Sequence, residues 1–186
     1  MTNHDRLSSL PNSEVPESNR TTLGFYVTPK EAYAMWQAKP EQVNILDVRT
    51  FEEYTFVGHL EMAHNVPLLF PKYDPKGPSL PGRPPGCYGE INPDFVPCVK
   101  ELYALTDTIL VYCATGGRAA MAVKLLAQAG FMNVYNIVSG LEGDRVDDPG
   151  SVFHGKHMRN GWKNSGLPWG YGFHPDLMYV AQEQTD

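Results

Sequence analysis

Thr108-Ile109-Leu110-Val111-Tyr112-Cys113-Ala114-Thr115-Gly116-Gly117-Arg118-Ala119-Ala120 is an apolar run that breaks at a cysteine, crosses a turn of small residues and enters a helical pattern. Ile109, Leu110 and Val111 are uninterrupted and rich in β-branching, which suits a strand covered on both faces, the environment of a parallel sheet. Cys113 falls at the carboxyl end of that strand. From Arg118 to Ala129, the residues Ala119, Ala122, Val123, Leu126 and Ala127 recur at helical spacing, and Gly130 stands where a helix would end. The pattern predicts a cysteine facing a helix amino terminus.

That placement has chemical content. The first amides of a helix lack intrahelical acceptors and carry the positive end of the helix dipole, so a thiolate is stabilised there. Gly116 and Gly117 let the backbone curl so that successive N–H groups converge on one anionic atom, and Arg118 adds a fixed positive charge. Cys113 is the candidate nucleophile. Ala114, Thr115, Gly116, Gly117 and Arg118 form the candidate substrate cradle. Protein-tyrosine-type phosphatases separate cysteine and arginine by five residues, enough to encircle a phosphate; the four-residue separation here leaves a smaller cradle, better matched to a single sulfur atom.

The loop Cys113-Ala-Thr-Gly-Gly-Arg118 resembles the Cys-x-x-Gly-x-Arg loop of the rhodanese (sulfurtransferase) family, and other stretches agree in order. Ile45-Leu46-Asp47-Val48-Arg49, then Glu53-Tyr54, Gly58-His59-Leu60 and Asn65-Val66-Pro67, are similar to the family's first signature. Leu125 to Ile137 with Ser139-Gly140-Leu141 is similar to its last helix, strand and Gly-Gly turn. The resemblance implies a rhodanese-like α/β fold, a mainly parallel five-strand sheet flanked by helices on both faces. It also implies a sulfurtransferase that carries sulfur as a Cys113 persulfide, from a small sulfur-containing anion (thiosulfate, 3-mercaptopyruvate or polysulfide) to cyanide or a thiol, including a protein thiol. No organic cofactor or metal is required. Asp47 and Arg49 are supporting residues with two open readings, orientation of the catalytic loop or a purely structural ion pair. His59 is expected to fix a turn by hydrogen bonding.

With 186 residues, 42% of them hydrophobic, the chain has room for one domain with long appendages. A net charge of -6, with no basic block, argues against nucleic-acid and anionic-membrane partners. No apolar stretch is long enough to span a bilayer and the first residues lack a signal-peptide pattern, so the expected compartment is the cytoplasm, subject to any export segment removed before residue 1. Cys87, Cys98 and Cys113 form no Cys-x2-Cys pair, which fits neither a disulfide framework nor a zinc cluster.

Residues 1–23, rich in Ser, Asn, Pro and Glu, are expected to be a disordered lead-in to a domain over 24–169. Helices are expected after Thr28-Pro29-Lys30-Glu31, which shows Ala32, Met35 and Trp36 to the core, and after Thr50-Phe51-Glu52-Glu53; both stretches carry a capping-box pattern. Asn92-Pro93-Asp94 opens another, with Phe95, Cys98, Val99 and Leu102 on one face. Two insertions interrupt the domain. Residues 71–92 alternate Pro and Gly and are expected to be a long loop, a lid or a partner-facing arm. Its cations are Lys72, Lys76 and Arg83, and its Cys87 would reach Cys113 only if the loop folded back. The second, 142–161, delays the family's tryptophan to Trp162. It brings His154 and His157 at a metal-compatible spacing but without further ligands, and Lys156 and Arg159 as candidates for anion or partner contacts. The tail, 170–186, either packs across the core or pairs with a second subunit. Two alternatives to a sulfurtransferase stand: a non-catalytic partner-binding or sulfur-carrier module, and, disfavoured by the loop spacing, a cysteine-dependent phosphatase or arsenate reductase.

Overall fold

Threonine and glutamate three residues apart start two of the helices as their spacing predicts. Thr28 and Thr50 each accept from the backbone N–H of Glu31 and Glu53, and each glutamate accepts in return from the threonine N–H. In the computed structural model, which describes residues 10–78 and 85–179, strand β1 (Tyr26–Val27) precedes helix α1 (Pro29–Ala38) and β2 (Val43–Asp47) precedes α2 (Phe51–Val57). Then come β3 (Ala63–Asn65), β4 (Leu69–Tyr73), β5 (Cys87–Ile91), α3 (Phe95–Leu102), β6 (Thr108–Tyr112), α4 (Gly117–Gln128) and β7 (Asn133–Ile137).

Five strands make one parallel sheet in the order β1-β7-β6-β2-β3. Alternation along its central strands divides the core into two layers. From β6 and the residue after it, Ile109, Val111 and Cys113 point to one side, where they meet Phe95 and Val99 of α3 and Ala119, Ala122, Val123 and Leu126 of α4. Leu110 and Tyr112 point to the other, with Ala32 of α1, Ile137 and Trp162; Met35 and Trp36 are only partly buried there. Helices thus cover both faces, and β6 lies at the centre with its carboxyl end leading into the cysteine turn.

Two segments differ from expectation, the end of the lead-in and the first insertion. Residues 10–23 are ordered: 3-10 turns at Asn12–Glu14 and Glu17–Asn19 bring Val15, 2% exposed, against Tyr26 and Val138. The Tyr26 hydroxyl receives the Thr21 N–H and donates to Asn12. Three buried residues, Val15, Asn19 and Thr21, spaced along a polar stretch carry no periodic signal. Residues 1–9 lie outside the described part.

The first insertion is an antiparallel hairpin, with β4 and β5 in register from Leu69↔Ile91 to Tyr73↔Cys87. Its Pro and Gly content disguises strands, but in a two-stranded ribbon every strand has a free edge, where Pro71, facing Gly89, is tolerated. Lys72 pairs with Glu90 at the surface, Arg83 lies outside the described residues, and Cys87 and Cys113 are both free thiols.

The second insertion closes on itself. Trp162 and Lys163 donate to Gly140 and Leu141, so the chain returns to the point where it left. His157 uses both ring nitrogens, on Gly143 and Arg145, within this excursion. The tail follows the free edge of β3: Gly170 pairs antiparallel with His59, Met178 parallel with Asn65, and the Tyr179 hydroxyl donates to Asp94. Residues 180–186 lie outside the described part.

If the alternation along β6 supports the two-layer core, Leu110→Ala, at a fully buried position, lowers the unfolding free energy by about 2–5 kcal/mol. Val152→Ala, at a position 84% exposed, changes it by less than about 0.5 kcal/mol. Urea unfolding of the two variants checks the contrast; equal effects would contradict the layering.

Candidate active site

Cys113 follows the last residue of β6, and the six residues to Arg118 turn the chain into α4. The Gly116 N–H donates to Cys113 Sγ at 3.1 Å. This turn requires Gly116 at φ +97°, in the left-handed region. Cys113 is only 1% exposed. Two carbonyls of the loop are tied to the segment after β7: Cys113 O accepts from Leu141 N at 2.8 Å, and Ala114 O accepts from Glu142 N at 2.9 Å. That contact is so close that a Cβ on Gly140 would lie 2.3 Å from Cys113 O. In a planar trans peptide the N–H points opposite to the carbonyl, so the Ala114 and Thr115 N–H groups turn to the other side.

Arg118 does not stand as a free charge. Its guanidinium makes a fork on Glu53 of α2, Nη1 to Oε2 at 2.6 Å and Nη2 to Oε1 at 2.5 Å. Burial pushes the Glu53 carboxyl up, but the hydrogen bonds and charge of Arg118 outweigh it and hold the group below its ordinary range. Burial lowers Arg118, and the same partner raises it further. A groove of about 480 Å³ runs beside this pair, between Glu52 and Glu53 on one side and Leu69, Pro71 and Gly89 of the hairpin on the other.

Asp47 and Arg49 form a second, fully buried ion pair, Arg49 Nη2 to Asp47 Oδ2 at 2.7 Å. Arg49 also donates to Gly58 O, and the Tyr112 hydroxyl donates to Asp47 at 2.7 Å. Burial and the charge of Asp47 push the Tyr112 hydroxyl well up, so it remains a donor. Asn65 donates to the carbonyls of both Asp47 and Arg49. Among the described residues, the side-chain hydrogen bonds of the pair reach the loop only through Tyr112, the residue before Cys113. His59 stacks on Tyr54 with 3.5 Å between ring centroids, and its Nδ1 pairs with Tyr54 O, so it fixes the turn after α2.

The structure therefore brings Cys113, the Ala114–Gly117 amides and Arg118 together at one strand end and sets Asp47 and Arg49 one layer beneath them. It adds Glu53, Tyr112 and Asn136. Glu53 was legible as a helix-capping residue, but its second role depends on α2 lying beside the start of α4, which spacing does not report. Asn136, on β7, donates to Gly116 O at 3.2 Å; nothing in a buried strand pattern marks it.

The family model for the rhodanese-like domain matches residues 28–145, and the chain belongs to that family. In Arabidopsis thaliana, thiosulfate sulfurtransferase 16, chloroplastic, is 39% identical over 95 residues, 51% of this chain and 68% of the relative. From the same plant, rhodanese-like domain-containing protein 17 is 37% identical over 97 residues, 51% of this chain but 53% of the relative. Among solved structures, Rv0390 from M. tuberculosis superposes with TM-score 0.59 at 24% identity, over 78% of this chain and 96% of that one. The rhodanese-like domain from Anabaena sp gives 0.51 at 21% identity, over 77% and 76%. These two share the fold. Among the described residues no helix is long and apolar enough to cross a membrane.

Two substitutions probe the two ion pairs. Arg49→Met leaves the Asp47 carboxylate buried without its partner and costs about 3–5 kcal/mol in urea unfolding; a loss within about 0.5 kcal/mol would contradict the pairing. Glu53 titrates lower in the folded chain than its ordinary 4.5, so the unfolded chain binds the extra proton first as pH falls. The stabilisation by Glu53 is complete above that ordinary value and is lost as pH drops through the folded-state value. Glu53→Gln therefore flattens the acid side of the stability-against-pH curve, and an unchanged acid limb would contradict it.

Proposed function

We propose that this protein is a sulfurtransferase in which Cys113 is both nucleophile and carrier. The thiolate attacks the transferable sulfur of a donor, the outer sulfane sulfur of thiosulfate or polysulfide or the thiol sulfur of 3-mercaptopyruvate, whose leaving group is the enolate of pyruvate. A Cys113 Sγ–S bond forms, the donor's bond to that sulfur breaks, and the leaving group departs with the electron pair. The outer sulfur of the persulfide is then attacked by cyanide or a thiol, a protein thiol included, which takes the sulfur and returns the thiolate. No net oxidation occurs, and neither an organic cofactor nor a metal has a part in the cycle.

The observation that carries this reading is the Gly116 N–H on Cys113 Sγ inside a four-residue Cys-to-Arg loop at a strand end. Amides aimed at that position stabilise the thiolate, and after loading they face the anionic persulfide. The membership in the rhodanese-like family and the name of its Arabidopsis relative support the reaction class. Arg118, already paired with Glu53, holds the loop to α2 and lends only a compensated charge. Asp47 and Arg49 act beneath the loop, through Tyr112, to hold the ends of β2 and β6 in register.

Intact-mass analysis after separate incubation with thiosulfate, 3-mercaptopyruvate and polysulfide tests the proposal. Wild type is expected to gain the mass of sulfur, removable by cyanide, with at least one donor, and Cys113→Ala with none. An adduct on the variant, or none on either protein, defeats the mechanism. Cleavage of p-nitrophenyl phosphate without a sulfur adduct would favour the phosphatase alternative.

A further inference from the structure

The family match begins at residue 28, yet the cysteine loop is held from outside that boundary. Asn19 ends the second 3-10 turn, 6% exposed, and its Nδ2 donates to Thr115 O at 2.9 Å across 96 residues of sequence. Its side-chain amide is oriented at the other end, where the Ser18 hydroxyl donates to Asn19 Oδ1 at 2.9 Å. Its backbone is fixed as well: Asn136 Nδ2 donates to Asn19 O at 2.9 Å and to Gly116 O at 3.2 Å. The fit leaves no slack, because a Cβ on Gly116 would lie 2.6 Å from Asn19 Nδ2.

Thr115 C=O and Gly116 N–H belong to one peptide unit, and in a planar trans peptide they point in opposite directions. The atom that Asn19 holds therefore decides where the Gly116 N–H points, and that N–H is the one bonded to Cys113 Sγ. We infer that Asn19 is a positioning residue for the Cys113 nucleophile, gripping the outer side of the Thr115–Gly116 peptide so that its inner side presents a hydrogen-bond donor to sulfur. The segment ahead of the family domain is thereby part of the working site. The inference rests on the reading of Cys113 as the sulfur-carrying group.

Asn19→Leu keeps the approximate size and removes the donor, and Asn19→Ala removes the donor with no risk of a clash. Val15→Ala loosens the same segment at its apolar anchor and leaves the Asn19 hydrogen bond in place. Three readouts are compared on the full chain: thermal midpoint, rate of sulfur loading from polysulfide, and iodoacetamide alkylation of Cys113 against pH. Both Asn19 variants are expected to load sulfur about ten- to hundredfold more slowly than wild type and to need higher pH for the same alkylation rate. Val15→Ala is expected to lower the thermal midpoint while keeping the wild-type loading rate and pH profile.

Wild-type rates and profile in both Asn19 variants would overturn the inference and leave the sulfurtransferase reading intact. A Val15→Ala variant as slow as the Asn19 variants would also overturn it, since general loosening would then explain the effect. Absence of sulfur loading in wild type would defeat the sulfurtransferase reading, and the alkylation profiles would still decide the role of Asn19.

Discussion

A trans peptide cannot turn its carbonyl one way without turning its N–H the other, and the site depends on that constraint. Four consecutive carbonyls, from Cys113 to Gly116, are held on the outside of the loop. Leu141 N takes the first, Glu142 and Gly143 N the second, Asn19 the third, and Asn136 with Ala120 N the fourth. The N–H groups of Ala114 to Gly117 belong to those same four units. The holders come from the segment before β1, from β7, from the stretch after β7 that leads into the second insertion, and from α4. The orientation of the Gly116 N–H on Cys113 Sγ is thus a product of the tertiary structure and not of the loop sequence alone.

The electrostatics follow from the same arrangement. Arg118 is the only cation within the loop, but its bidentate bond to Glu53 compensates it, and Glu52 stands in the same groove. In the proposed cycle, stabilisation of sulfur anions therefore falls mainly to fixed backbone dipoles, which need no reorganisation when charge develops. The buried Asp47–Arg49 pair serves a different end. With the Tyr112 hydroxyl and Asn65 it ties β2, β3 and β6 together where all three strands finish, and it gives Cys113 a rigid base. Breaking such a pair exposes an uncompensated charge to a medium that cannot solvate it.

Local signals made much of the fold legible. The apolar run through Ile109, Leu110 and Val111, the helical recurrence from Ala119 to Leu126 and the two Thr-x-x-Glu boxes each give an element of the expected type. Such features are encoded by neighbours in sequence. Long-range contacts were not legible. Val15 and Asn19 lie in a stretch whose composition suggests disorder, and their burial is apparent only when β1 and α4 are in place. The β4–β5 ribbon was hidden because Pro71 and Gly89 mark breaks in most strands but are tolerated at an edge. Glu53 met a local rule as a capping residue, and that rule gave no reason to look for its second partner 65 residues away.

In the proposed cycle the Ala114 to Gly117 amides face the sulfur carried by Cys113. The most direct test is the amide proton resonances of those four residues, assigned by NMR before and after loading with polysulfide. All four are expected to move downfield when mass analysis shows the sulfur adduct, and to return when cyanide removes it. A fully loaded protein in which these resonances stay in place would contradict it.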